Sequence, residues 1–425
     1  MKMFFRNIRN GLAVTSAFSL SQYSVNDQSD SATKTPTKKV LVVGSAGLDY
    51  LINVNGFPKP DEKIRATSME ILGGGNAANT ATCLSRLGLD VSLFTKIGDD
   101  MNSKLIIKEL DSDGVDTKFV VRQMGESSPL TVVIVDKPSV TRTCVHVSKL
   151  EEISSREVEE FFSLYFGNLS SLIDSPLIMH SDSRHTEGAF LLAKLAQARG
   201  VPVSVDVEKF RPGLENLLPE CSIIFTNEHF PMLYNAHVGG NRDAELIEGM
   251  ARLLQQGKAR IVVSTLGSRG SVLMRRKGDQ FTLLGQGCPQ KTSNISSDYS
   301  CSNTQHSPII AQSLLHLPLK VSSYPVVAST VTCTNSVAAP ASSDAEIEMF
   351  TCSAFPLQQT EIADTTGAGD SFIGGFIAGL CYGLSHENCL RLGSLVAAEK
   401  LRGVGSRRTL PQADTVNKIS KIYHL

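Results

Sequence analysis

Asp364-Thr365-Thr366-Gly367-Ala368-Gly369-Asp370-Ser371 places a turn of small residues and an acid at the head of an apolar run. Phe372, Ile373, Phe376, Ile377 and Leu380 follow at spacings that make one apolar helical face, and Gly374, Gly375 and Gly379 allow a neighbour to pack closely. A helix is therefore expected to begin near Gly367. Its first-turn N–H groups lack intrahelical acceptors, and the glycines leave them open to an anion such as a phosphate. A carboxylate in the same turn would be repelled by that anion. This gives Asp370 a task, which is to take a proton from a hydroxyl attacking phosphorus. An N-capped helix after a glycine turn fits the same residues, and the stretch alone does not separate the two readings.

Two further segments bear on the choice. Gly73-Gly74-Gly75-Asn76-Ala77-Ala78-Asn79 runs into a small-residue helix that Gly88 ends. The Asn76 and Asn79 amides donate and accept at once, which suits a ligand rich in hydroxyls, although cap and turn roles are equally open to them. Val262 to Leu273 reads as two β-like runs around Gly267-Ser268-Arg269-Gly270, either a phosphate-holding strand end or a plain hairpin.

In this order the three segments resemble the pfkB carbohydrate kinases, also called ribokinase-like, from about Lys39 to Pro411 apart from one insertion. The string Thr265-Leu266-Gly267-Ser268-Arg269-Gly270 matches ribokinases. Gly74 to Asn79, Asp61 to Arg65, Arg142-Thr143, Ser183-Arg184 and Ser204 to Lys209 lean to the ketohexokinase branch. The resemblance implies an α/β fold, a three-layer sandwich with a mostly parallel central sheet and a small β lid. It implies ATP- and Mg²⁺-dependent phosphorylation of a small sugar or sugar-like alcohol. It assigns Asp370 as base, with the N–H groups of Gly367, Ala368 and Gly369 facing the transferred phosphoryl. Asp49, Gly74, Gly75, Asn76 and Asn79 fall on the sugar side, and Asn227, Thr265, Gly267, Gly270 and Arg184 on the nucleotide side. Asp364 and Thr366 match residues beside a monovalent-cation site, so K⁺ is expected there, while the supporting loop from Gly403 to Pro411 matches loosely. The chain departs from the Asn-x-x-Glu motif common in the family, because Phe230 stands at the glutamate position after Asn227. Homodimerisation through the lid is a further implication.

Composition fits an enzyme of this kind. The 425 residues are 41% apolar and 20% charged with a net charge of −1, which gives no general attraction to nucleic acid or anionic membrane. No apolar run is long enough to span a bilayer. Nine scattered cysteines without C-x-x-C pairs read as reduced thiols in an intracellular compartment. Residues 1–38 read as a transit-like or disordered segment: Lys2, Arg6 and Arg9 precede the first acid, Asp27, which suggests a plastid or a mitochondrion.

Along residues 39–425, apolar strands alternate with helix-length segments from Val40-Leu41-Val42-Val43-Gly44 onward, the pattern of βαβ units. Strands are expected over 91–97, 177–180, 201–205, 223–226 and 261–265, and helices over 101–110, 186–198, 244–256 and 387–401. Two β-rich stretches, 51–72 and 119–147, are the expected lid. Residues 285–357, rich in Ser, Thr and Cys, are expected to be a disordered insertion. Two rival functions remain open. Gly73 to Ala78 also satisfies the G-x-G-x-x-A pattern of a nicotinamide oxidoreductase. A pfkB-like protein without turnover, acting as a binding or scaffold module, would share the fold.

Overall fold

The computed structural model describes residues 38–136, 138, 141–167, 175–240, 245–279, 281–283, 347–417 and the backbone of 326–331. The expected N-terminal targeting segment lies outside these residues. The elements, in chain order, are β1 (Lys39–Val43), β2 (Gly47–Val54), β3 (Ser68–Gly74), α1 (Asn76–Arg86), β4 (Asp90–Gly98), α2 (Met101–Ser112), β5 (Val120–Gln123), β6 (Leu130–Asp136), β7 (Thr141–Val147), α3 (Ser155–Gly167), β8 (Ile178–Ser181), α4 (Thr186–Ala198), β9 (Val203–Val207), α5 (Leu214–Leu217), β10 (Ile223–Asn227), α6 (Phe230–His237), α7 (Leu246–Leu254), β11 (Ile261–Thr265), β12 (Ser271–Arg276), β13 (Val326–Val331), β14 (Ile347–Cys352), α8 (Ala368–Cys381) and α9 (His386–Leu401).

One ten-stranded sheet runs β13-β14-β12-β11-β10-β9-β8-β1-β4-β5. Every pairing from β11 to β5 is parallel, and β12, β14 and β13 continue antiparallel at one edge. Both faces are covered, and the strand residues divide between them with period two. Val40 and Val42 face α1, α2, α8 and α9, whereas Leu41 and Val43 pack with α3, α4, α6 and α7. Ile223 and Phe225 likewise oppose Ile224, and Ile261 and Val263 oppose Val262. The three-layer expectation holds.

β1 is flanked by β4 on one side and β8 on the other, so the chain order reverses across it. Open α/β sheets bind ligands beyond the strand C-termini at such a reversal. A second sheet, β3-β2-β6-β7, lies beside this edge, with Leu51, Leu72 and Val133 as its own small core. It is the expected lid with altered bounds. β2 starts at Gly47, so lid pairing begins before residue 51. Val120–Gln123 leaves the lid and pairs with β4 of the main sheet (Thr95↔Val120), because its hydrogen-bonding edge meets the unpaired edge of β4. The expected insertion is also shorter than 285–357. β14 pairs with β12 through Leu273↔Phe350, and Ile347, Phe350, Cys352 and Phe355 are buried, so 347–357 belongs to the fold. Residues 284–325 and 332–346 lie outside the described residues.

Candidate active site

α8 begins at Ala368, and its N-cap Gly367 has φ 75°, the left-handed region that a side chain disfavours. A Cβ there would lie 2.8 Å from that of Ser406, so only glycine lets the turn and the 403–411 loop pack together. The turn stands between two cavities. The first, about 460 Å³, is lined by Asp49, Gly75, Asn76, Asn79, Thr366, Gly367 and Asp370, with Arg184 and Arg211 also on its wall. The second, about 580 Å³, is lined by Arg142, Thr265, Gly267, Gly270, Phe355, Leu357, Thr365, Ala368 and Gly369. A Cβ added at Gly369 would meet nothing within 4 Å, so the helix end is open where the anion reading requires it.

Asp370 is 7% exposed, and its Oδ2 accepts from Asn79 Nδ2 at 2.8 Å. Burial pushes its pKa up to about 7; the Asn79 bond opposes this, and Glu208, Asp182 and Asp49 reinforce it. Asp49, in β2, is 8% exposed. Burial raises its pKa to about 6 against the pull of Arg407 and of hydroxyls from Thr131 and Ser406. A carboxyl poised near neutrality is suited to proton transfer, and two of them face one cavity here.

The structure gives several expected residues different partners. Gly74 makes room for Asp49 and not for a ligand, since a Cβ there would lie 2.5 Å from Asp49 Oδ1. Asn79 holds the Asp370 carboxyl: its Oδ1 accepts from Arg407 Nε at 2.9 Å while its amide donates to Asp370. Arg184 stands in the first cavity with Asp370, apart from Thr265, Gly267 and Gly270. Asn227 lines neither cavity. Its Oδ1 accepts from the N–H groups of His229 and Phe230, and Nδ2 donates to the Glu208 carbonyl, so it closes the turn that leads into α6. Buried Phe230 then opens the helix where the family pattern would place a glutamate.

Two positions that build the site were not singled out in the sequence. Asp182 follows β8 and is 3% exposed; its Oδ2 accepts from Ser45 N, Ser45 Oγ (2.5 Å) and Ala77 N, and its Oδ1 from Arg184 N. It fastens the β1 exit, the start of α1 and the Arg184 loop together. Within that loop Ser183 (φ 55°) and His185 (φ 50°) both adopt left-handed backbone, at a cost of about 1–3 kcal/mol each, while Arg184 and His185 line the cavity. The second position is Arg407, 1% exposed, which donates to Asn79 and to the Gly74 carbonyl.

Asp364 and Thr366 are close together. Asp364 Oδ1 accepts from Thr366 N (2.9 Å) and Oγ1 (2.8 Å), and Oδ2 from Gly405 N (2.8 Å). Burial would raise the Asp364 pKa, but these bonds and the Lys400 charge hold it below the usual carboxylate value.

A helix terminus between two cavities, with a buried carboxyl on one side and glycine turns on the other, suits phosphoryl transfer, and comparison with known proteins agrees. The sequence pattern of the pfkB family carbohydrate kinases matches residues 37–290 and 350–413. The chain belongs to the pfkB family of carbohydrate kinases. As a pfkB kinase it is similar to the ribokinase of Arabidopsis thaliana, at 22% identity over 404 residues covering 94% of this chain and 85% of that protein. It is 25% identical over 236 residues to the bifunctional ribokinase/ribose-5-phosphate isomerase A of Fructilactobacillus sanfranciscensis; that match covers 55% of this chain and only 42% of the relative. Among solved structures, Arabidopsis thaliana ribokinase complexed with ribose and ATP superposes with a TM-score of 0.62 at 22% identity, over 91% of this chain and 99% of that one. The expected fold is thereby shown. Membership displaces the oxidoreductase reading, since Gly73 and Gly74 end a lid strand and do not form the turn after β1 that a dinucleotide fingerprint requires. No described helix is long and apolar enough to cross a membrane.

Proposed function

We propose that this pfkB kinase transfers the γ-phosphoryl group of ATP to a hydroxyl of a small sugar or sugar-like alcohol, with the sugar in the Asp49 cavity and the nucleotide in the Thr265 cavity. The observation that carries this reading is the position of the Gly367–Gly369 turn, which contributes to both cavities and has Asp370 on the sugar side. Asp370 would take the hydroxyl proton as the O–P bond forms, and the N–H groups of the first turn of α8 would receive the charge that builds on the phosphoryl oxygens. The buried Nε–H groups of Arg184 and Arg211 have no acceptor among the described residues, so both guanidiniums have capacity for an anion beside Asp370. Asp49 and Asn76 would hold sugar hydroxyls. Mg²⁺ would enter with ATP and neutralise its phosphates. The lid would exclude water, which competes with the sugar for the phosphoryl group.

The test is ATP consumption by the full chain against pentoses, hexoses, polyols and nucleosides. Sugar-dependent turnover that Asp370→Asn abolishes supports the reading and identifies the acceptor. ATP binding without turnover of any acceptor would favour the scaffold alternative. The pH profile is a second check. A base must be ionised to act, and the Asp370 pKa is raised to about 7, so kcat/KM should be full above about pH 8 and fall roughly tenfold per unit below 7. A profile flat down to pH 5.5 would remove Asp370 from the role.

The lid also supports the dimer reading. β7 is exposed along its whole length, and the register aligns exposed Ile71 with Tyr50, Val132 and exposed Val145 on one face. Such an apolar strip suits a second copy of the same sheet. Light scattering should give twice the chain mass, and Ile71→Asp should halve it; a monomeric wild type would rule this out.

A further inference from the structure

The Asp364–Thr366 turn is expected beside a monovalent cation, yet two carbonyl oxygens at that position already face a side-chain cation. Lys400, in the last turn of α9, has no solvent exposure. Its ammonium donates to the Asp364 carbonyl at 2.8 Å and reaches the Gly403 carbonyl at 3.5 Å. The loop from Gly403 onward is the segment that would complete a cation site, and it is fastened to the same place: Gly405 N donates to Asp364 Oδ2, and Thr409 Oγ1 donates to the Lys400 carbonyl at 2.8 Å. Arg142 brings a second positive charge from the lid, 3.3 Å from Asp364 Oδ1 and 2.6 Å from Thr365 Oγ1. An alkali ion on the Asp364 carbonyl would share that oxygen with a buried ammonium, and the two like charges would repel with little water to screen them. K⁺ therefore does not fit.

We propose that the Lys400 ammonium is a tethered replacement for the monovalent cation. A singly charged, hydrogen-bonding group on a helix performs the holding task an ion would otherwise perform, which is to fix the Asp364–Thr366 turn and with it the Gly367–Gly369 anion turn. Lys400 is a positioning residue here, acting on the nucleotide and the transferred phosphoryl only through that turn. The consequence is independence from added potassium. The meaning of the turn rests on the kinase reading, but the question of what occupies the cation position does not.

The experiment compares the full-length wild type with Lys400→Met in tetramethylammonium chloride, potassium chloride and ammonium chloride at one ionic strength, reading thermal midpoint and ADP affinity. Neither readout needs turnover, so a failed acceptor screen would count against the kinase reading and leave this one standing. The wild type should show the same midpoint within about 1 °C and the same affinity within about twofold in all three salts. Lys400→Met should lose on the order of tenfold in ADP affinity in tetramethylammonium. K⁺ and NH₄⁺ should restore that affinity and raise the variant midpoint by roughly 3 °C or more, as ligand-linked stabilisation requires. Destabilisation by a merely structural lysine would not be reversed by small cations. A wild type that gains affinity or stability with K⁺ overturns the proposal, and so does a folded variant indifferent to all three salts. If the variant folds in none of them, the wild-type comparison decides alone.

Discussion

Asp370→Asn is expected to end sugar-dependent turnover while leaving the fold and nucleotide binding in place. Removing a general base costs on the order of 10²- to 10⁴-fold, and the amide has no basic lone pair to replace the carboxylate. The substitution is nearly isosteric, and the Asn79 amide can still donate to the oxygen that remains. A second effect should have the opposite sign. The folded-state pKa of Asp370 is raised to about 7 from an ordinary 3.8, so the folded chain holds this proton more tightly than the unfolded chain does. The ionised carboxylate therefore costs stability progressively as pH rises from about 4 through 7, and fully above that, by as much as ~4 kcal/mol. Asp370→Asn should accordingly melt higher than wild type at pH 8, and the gap should narrow at pH 5. Strained, desolvated active-site groups commonly show this exchange of stability for activity. Two measurements check it: initial rates with the acceptor found in the screen, and thermal midpoints at both pH values. A variant keeping a tenth of the wild-type rate would show that another group takes the proton.

Legibility followed the range of the interactions involved. α4 and β11 have the bounds expected for them, Thr186–Ala198 and Ile261–Thr265, because each is a periodic apolar run ended by its own local signals. The start of α8 was also local, since Gly367, Ala368, Gly369 and Asp370 carry turn, cap and acid within one helical turn. Assignments failed where a partner distant in sequence decides the outcome. Val120–Gln123 has the same composition as the lid strands, and only the free edge of β4 draws it into the main sheet. Ile347–Cys352 sits in Ser- and Thr-rich surroundings and shows itself as a strand only through its pairing with β12. Asn227 carries the family's asparagine, but an amide can close a turn as readily as it can serve a ligand. Asp182 follows an apolar strand, a place where turn aspartates are common. The bond from Arg184 N is of that local kind; what distinguishes Asp182 is three hydrogen bonds from Ser45 and Ala77, more than a hundred residues away, which spacing could not reveal. The Lys400 ammonium belongs to the same class: a lysine near a helix C-terminus reads as a dipole partner in solvent, and here it is buried against Asp364.

Arg407→Met should have the second large effect, and on both stability and catalysis. Burial is the strongest influence on the guanidinium and disfavours its charge; the carboxylates of Glu109, Asp49, Asp113 and Asp370, in that order, act the other way. These acids offset only part of the burial penalty, and on balance its pKa is lowered. Its Nε donates to Asn79 Oδ1, another nitrogen donates to the Gly74 carbonyl, and its own carbonyl accepts from Arg86 Nη1 at 2.8 Å. Arg86 in turn grips Asp113 at 2.9 and 2.6 Å, so the 403–411 loop is tied to α1 and to the end of α2 through two arginines. Methionine would fill much of the volume and supply no charge. Asn79 Oδ1 and the Gly74 carbonyl would lose their donor, and leaving a buried acceptor unpaired typically costs about 1–3 kcal/mol, while Asp49 would lose the nearby positive charge that favours its ionised form. The chain of bonds from Arg407 through Asn79 to Asp370 would also lose its first link, freeing the Asn79 amide to turn away from the base. Weaker acceptor binding should follow from Asp49, whose pKa should rise further above about 6 without the arginine. A lower turnover number should follow from Asp370. The measurements are a denaturant titration and a separation of KM from kcat near pH 7, repeated at pH 8.5. Acceptor affinity should recover in part at the higher pH as Asp49 ionises, whereas a loss caused only by loosened packing would be the same at both. Arg407→Lys keeps a charge but cannot reach Asn79 and Gly74 together, so it should recover stability better than rate. Equal recovery of both would mean that the arginine supports the fold and has no part in aligning the base.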